Sequence, residues 1–169
     1  MVGMIDDLFD LARVRLGEGI PLERARVDMA TIARSVVAEC LAGAPGAVID
    51  IQHDGNTSGE WDSGRVEQII SNLVGNAVRH GSPGVPIDVL VQGTEDHVSL
   101  SVHNSGMIAP AVRETLFDPF RGAARGRARK DGLGLGLYIV QQLVVAHGGT
   151  VEVESSDAGT TFRVLLPKS

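Results

Sequence analysis

The chain has 169 residues, a net charge of −6 and a single cysteine, Cys40. At roughly 150 residues per domain this is one domain with a short appendage, long enough to fold without covalent staples. One cysteine excludes a disulfide framework and a four-thiolate zinc site, and the acidic balance argues against nucleic-acid binding.

Leu8 and Leu11 continue a three/four spacing begun at Met1 and Met4, flanked by Ile5, Phe9 and Ala12, which predicts a first helix of about 16 residues. It ends at the Gly17–Pro21 breaker cluster, so residues 1–20 read as an appendage with a hinge and 21–169 as the main domain. A short strand is expected at Val27–Met29, then a helix capped by Asp28, running to about Leu41, with Ile32, Val36 and Val37 buried. A strand follows at Ala47–Ile51. Asp62 caps the next helix, where Val66, Ile69, Ile70, Leu73, Val74 and Ala77 form one apolar stripe. Strands at Ile87–Val91 and Val98–Val102 flank Gly93–Asp96 as a hairpin, and Ala111–Leu116 is a short helix. A helix from Leu135 to His147 and strands at Thr150–Glu154 and Thr161–Leu166, about a turn at 156–159, complete the chain. Helices mixed with paired strands give an α+β fold. No apolar stretch approaches about 18 residues, and the start lacks the basic leader and apolar run of a signal peptide. The expectation is a cytoplasmic segment without membrane contact.

Three stretches carry chemistry. In the Asp62 helix, Asn72, Asn76, Arg79 and His80 fall on one face, and a neutral carboxamide oxygen beside a cation suits Mg²⁺ and phosphate. Val102–Ile108 closes a strand on Asn104, able to pair with a heterocycle edge. Gly132, Gly134 and Gly136 alternate before a helix, where backbone N–H groups and the helix dipole favour an anion. A dinucleotide fingerprint needs a glycine where Leu137 stands, and no GxxxxGK[ST] is present. Residues 121–130 add five cations and no acid, on charge alone a solvated loop. Each stretch by itself has an ordinary structural explanation.

In this order, the three resemble the catalytic ATP-binding domain of sensor histidine kinases, within the superfamily that includes gyrase, Hsp90 and MutL. The helix pattern D-x-x-R-L-x-Q-V-L-x-N-L-x-x-N-A-x-[KR] is matched from Asp62 through Arg65, Gln68, Asn72 and Asn76 to Arg79. L-F-x-P-F is Leu116–Phe120, G-x-G-L-G-L is Gly132–Leu137, and the tail motifs are His147-Gly148-Gly149, Gly159–Phe162 and Leu166-Pro167. The resemblance spans about residues 22–167. It implies a two-layer α/β sandwich: a mixed, mainly antiparallel sheet of about five strands covered on one face by about three helices.

For function the resemblance implies ATP and Mg²⁺ as ligands. Asn76 would ligate the metal, Asn72 line the same site, Arg79 reach phosphate and His80 lie beside the adenine. Asn104, Gly106 and Ile108 form the first glycine box. Phe120 and Arg121 open the lid, which gives the basic run a phosphate to meet. Gly132, Leu133, Gly134, Leu135, Gly136 and Leu137 form the second glycine box, and Thr160 or Thr161 positions the base. Two departures stand out. The family's first box is D-x-G-x-G, whereas here Asp is Asn104, similar to phytochrome-type kinases, and the second Gly is Ile108. Adenine binding is expected to survive without the strength of a charged acceptor, and Ile108 to alter the loop path. No histidine stands in the family's H-[ED]-x-x-x-P acceptor context, so the acceptor is expected upstream, the first helix being the end of a dimerising phosphoacceptor hairpin. Hydrolysing relatives carry a Glu at the position of Asn72, so transfer is expected over hydrolysis; Glu67 is expected to face solvent. The implied partners are that phosphoacceptor domain, a response regulator and, in the full protein, a second copy. The alternatives are a degenerate module acting by protein contacts and a stand-alone serine kinase of the anti-sigma-factor type.

Overall fold

In the computed structural model, which describes residues 4–120 and 134–169, the apolar stripes select the elements and set the layers. The order is α1 (Met4–Arg15), β1 (Ala25–Asp28), α2 (Met29–Gly43), β2 (Ile49–Asp54), β3 (Ser58–Trp61), α3 (Ser63–His80), β4 (Ile87–Gly93) and β5 (His97–Asn104). Then come α4 (Pro110–Arg113), α5 (Gly136–Ala146), β6 (Thr150–Ser156) and β7 (Gly159–Pro167). The fold is the expected α+β sandwich. Met1 and the basic run at 121–130 lie outside the described residues.

The main sheet has the order β2-β4-β5-β7-β6. β2 joins β4 in parallel, through a connection that carries α3, while the other three pairings are antiparallel. Along β4, β5 and β7 the residues Val89, Val91, Leu100, Val102, Phe162 and Val164 alternate inward. Asp50, Asp88, Gln92, Arg163, Glu152 and Glu154 stay exposed. That period of two leaves one face dry, and α2, α3 and α5 cover it.

All six stripe positions of α3 are buried, Ile70, Leu73 and Val74 completely. Each such side chain contributes about 1.5–3 kcal/mol relative to exposure, which makes α3 the central strut. Asp62 caps it as expected, its Oδ1 accepting from Arg65 N–H at 3.2 Å. Asp28 stands at the N-cap position of α2 but makes no cap bond. Its carboxylate accepts from the hydroxyls of Thr31 (2.8 Å) and Thr57 instead, tying α2 to the start of β3.

The sequence reading contains no β3. Four residues with a glycine inside, Ser58–Trp61, pair antiparallel with β1 in a separate two-stranded sheet. The fully buried Trp61 anchors it, its Nε1–H donating to Pro167 O at 2.7 Å.

The first helix packs back on the domain along one face. Leu11 is buried, and the buried carboxylate of Asp10 takes both terminal nitrogens of Arg65, at 2.6 and 3.1 Å. Gln68 accepts from the same Arg65 and donates to Asp7 at 3.2 Å. Burial, with Asp10 close by, raises the Asp7 carboxyl above its usual range. The opposite face shows Ile5, Phe9 and Leu16 to solvent, each more than 60% exposed.

Candidate functional site

α3 ends against the turn that follows β5, and β7 runs beside β5 there, with Asn104 opposite Thr160. Between them lies a cavity of about 310 Å³. Asn76 and His80 come from α3, Asn104 from the end of β5, and Gly106, Met107 and Ile108 from the loop after it. Thr160 and Phe162 come from β7, and Ala109, Val112 and Leu116 close the apolar wall.

A relay of hydrogen bonds shapes the loop. Ile108 N–H donates to Ser155 Oγ (2.8 Å), whose hydroxyl lies 2.8 Å from Thr160 Oγ1, and Thr160 donates to Gly106 O at 2.7 Å. Because the Thr160 proton goes to Gly106, the Ser155 proton goes to Thr160. Gly106 N–H in turn donates to Asn104 Oδ1 at 2.8 Å. A Cβ at position 106 would stand 2.3 Å from His80 O, so close approach to α3 requires the glycine. Ile108 does not need a left-handed backbone: among the described non-glycine residues only Phe120 has positive φ, at 62°.

Asn76 is 8% exposed and has no hydrogen-bond partner among the described residues. One turn earlier on α3, Asn72 Nδ2 donates to Gly136 O at 3.2 Å, joining the carboxamide face of α3 to the first turn of α5. Gly134, at φ 72°, makes the turn into that helix, and Leu135 is buried beneath it. Leu137 packs against the core rather than the cavity. Phe117 meets Phe162 edge-on at 6.3 Å, fixing the segment after α4 to the cavity floor.

The structure thus brings Asn76, His80, Asn104, Gly106, Ile108 and Thr160 together around one cavity. Asn72, Gly134, Leu135 and Gly136 stand at the neighbouring junction of α3 and α5. Arg79 and Phe120 are exposed and do not line the cavity. Of the two threonines, Thr160 faces it, while Thr161 bonds His103 Nδ1 at 2.8 Å elsewhere on the sheet. Arg121, Gly132 and Leu133 lie outside the described residues. Glu67 is exposed. Met107, Leu116 and Phe162 stand in the sequence motifs without a site role, and Ala109, Val112 and the relay member Ser155 escape the sequence reading, because apolar spacing and a strand serine do not distinguish a wall from a core.

No group of three or more His, Cys, Asp or Glu side chains among the described residues forms a metal cluster, and no described helix is long and apolar enough to cross a membrane.

The family described as histidine kinase-, DNA gyrase B-, and HSP90-like ATPase matches residues 61–169. A bacteriophytochrome of Pseudomonas aeruginosa is 34% identical over 169 residues, covering 99% of this chain and 23% of that protein. Sensor histidine kinase TrcS of Mycobacterium tuberculosis is 35% identical over 177 residues, covering 99% of this chain and 34% of that protein. The crystal structure of full-length ShkA in complex with AMPPNP superposes with a TM-score of 0.78 at 31% identity, covering 96% of this chain and 35% of that one. The chain therefore spans between about a fifth and just over a third of the length of the curated relatives it matches.

Proposed function

Since the chain belongs to the histidine kinase-, DNA gyrase B- and HSP90-like ATPase family, we propose that it is the ATP-binding catalytic domain of a two-component sensor histidine kinase. It passes the ATP γ-phosphoryl group to a histidine on a helical hairpin. The observation that carries this reading is the convergence of Asn76, His80, Asn104 and Thr160 on one cavity, beside the Asn72–Gly136 contact at the start of α5. The AMPPNP of the ShkA complex supports a nucleotide there.

Magnesium fits the residues present. Asn76, which lines the cavity, offers a neutral oxygen ligand with no protein partner among the described residues, and among those residues no cluster of three acidic, His or Cys side chains competes for the ion. Mg²⁺ keeps several waters and takes substrate phosphates, so a single side-chain ligand suits it. Bound there with Asn76, the ion would neutralise phosphate charge. The apolar wall of Ile108, Val112 and Phe162 would hold the base and exclude water from it, while Asn72 holds α5 against α3. Transfer over hydrolysis is supported by the lining: among the described residues no carboxylate lines the cavity, and the Asn72 amide, already donating to Gly136 O, cannot take a proton from water. Positioning and charge neutralisation are what phosphoryl transfer asks of a protein.

The partners in this reading are the phosphoacceptor domain, a response regulator and a second copy in the full protein. The exposed apolar side chains Ile5 and Phe9 of α1, with Leu16 just after it, support its place at the end of the dimerising hairpin. The setting is cytoplasmic. Thermal unfolding with ATP plus Mg²⁺ against ATP plus chelator tests the ligands, with a stabilising shift expected only with the metal. Labelled ATP with a phosphoacceptor hairpin added in trans tests the reaction. Label is expected on the hairpin histidine, and label released only as inorganic phosphate would overturn the kinase reading.

A further inference from the structure

The buried end of the cavity holds a hydrogen-bond donor that the protein itself does not use. Asn104 is 2% exposed, and the two ends of its carboxamide are unlike. Gly106 N–H, at 2.8 Å, must be met by an acceptor, so Oδ1 faces the loop and Nδ2 faces away from it. The loop cannot easily yield, because Gly106 is pressed against His80 O and its own carbonyl is held by Thr160. Among the described residues Nδ2 has no partner, and the only fully buried side-chain atom without one is Arg113 Nε. Nδ2 therefore opens onto the cavity that Asn104 lines.

A ligand edge entering here meets an N–H donor and the second lone pair of Oδ1, with no carboxylate among the described residues that line the cavity. A 6-amino purine suits such an amide, its amine donating to Oδ1 and its adjacent ring nitrogen accepting from Nδ2. A 6-oxo purine suits it equally in the opposite sense: its oxygen accepts from Nδ2, and its ring N–H donates to Oδ1. An acceptor-only carboxylate would keep one pairing with either purine, the amine of the first or the ring N–H of the second, and would set a lone pair against a lone pair for the other, whereas the amide satisfies both edges in full.

We propose that Asn104 makes this a purine site tolerant of oxygen at C6, so that 6-oxo purine nucleoside triphosphates bind alongside ATP. The inference rests on the reading above that the cavity receives a nucleotide base. Inosine triphosphate is the clean probe, because it exchanges the 6-amino group for oxygen without adding the 2-amino group of GTP. Calorimetric titration of the whole chain, with Mg²⁺, compares ATP and ITP on the native protein and on Asn104→Asp, each checked for folding by circular dichroism. The native chain is expected to bind ITP within about tenfold of ATP, and Asn104→Asp, which takes one pairing from each purine, to weaken both by about tenfold or more. A native ratio beyond tenfold overturns the inference, as does a variant that binds either nucleotide as tightly as the native chain. If Asn104→Asp does not fold, the native ratio decides alone. Binding of ATP without ITP removes only this inference, whereas binding of neither removes the nucleotide reading and this inference with it.

Discussion

The two ends of α3 handle polar groups in opposite ways. At the N-terminal end the inward polar side chains Asp62, Arg65 and Gln68 all meet the protein. Asp62 caps the helix and also accepts from Glu23 N–H at 2.9 Å, while Arg65 and Gln68 clasp Asp10 and Asp7 of α1. His147 is buried, its Nδ1–H donating to Leu143 O at 2.8 Å and its Nε2 accepting from Asp62 N–H at 3.2 Å. At the C-terminal end, Asn76 and Asn104 Nδ2 are shielded but lack protein partners among the described residues. A buried polar group without a partner costs free energy. One helix therefore carries a closed structural junction at one end and unpaired polar groups at the other, the end where the proposed nucleotide would sit.

Substitutions should separate the two ends. The largest effect is expected from Asn76→Ala, which should weaken Mg-ATP binding by about a hundredfold, or about 2.7 kcal/mol, while leaving the nucleotide-free urea midpoint unchanged. A comparable fall in that midpoint would show that Asn76 is structural and erase the contrast. Next is Asp10→Ala, which leaves the largely covered Arg65 guanidinium without its carboxylate. Urea denaturation should register a loss of about 2 kcal/mol. ATP affinity should stay within about twofold. The smallest effect concerns pH. Burial, the leading cause, holds the His147 imidazole below its usual 6.5. Its contribution is present in full above pH 6.5 and lost as pH falls below that value toward the lowered folded pKa, because only the unfolded chain takes up the proton there. His147→Gln should flatten the fall in stability between pH 7 and 5 by less than about one proton. An unchanged slope would place the titration elsewhere.

What could be read in advance follows from range. The α3 stripe, the β4–β5 hairpin and the Asp62 cap depend on neighbours within a few residues, and all three stand where periodicity and cap chemistry put them. β3 depends on distant partners: β1 across the small sheet and Pro167 under the Trp61 ring. Four residues with an internal glycine carry no periodic signal of their own. Asp28 has the right residue type for a cap, yet two threonines compete for its oxygens. In the site, the carboxamides and glycines were visible as motifs, whereas the choice between Thr160 and Thr161 is a matter of strand register, and one residue of slip exchanges the faces. The Asp10–Arg65 clasp joins residues 55 apart and leaves no local trace.

Trp61 is the only indole in the chain, sealed from water and hydrogen-bonded near the end of the last strand. Its fluorescence is therefore a built-in monitor of one seam, where the small sheet closes over the C-terminus. Emission at short wavelength reports that seam shut, and a shift to the red reports water reaching it, with no label attached.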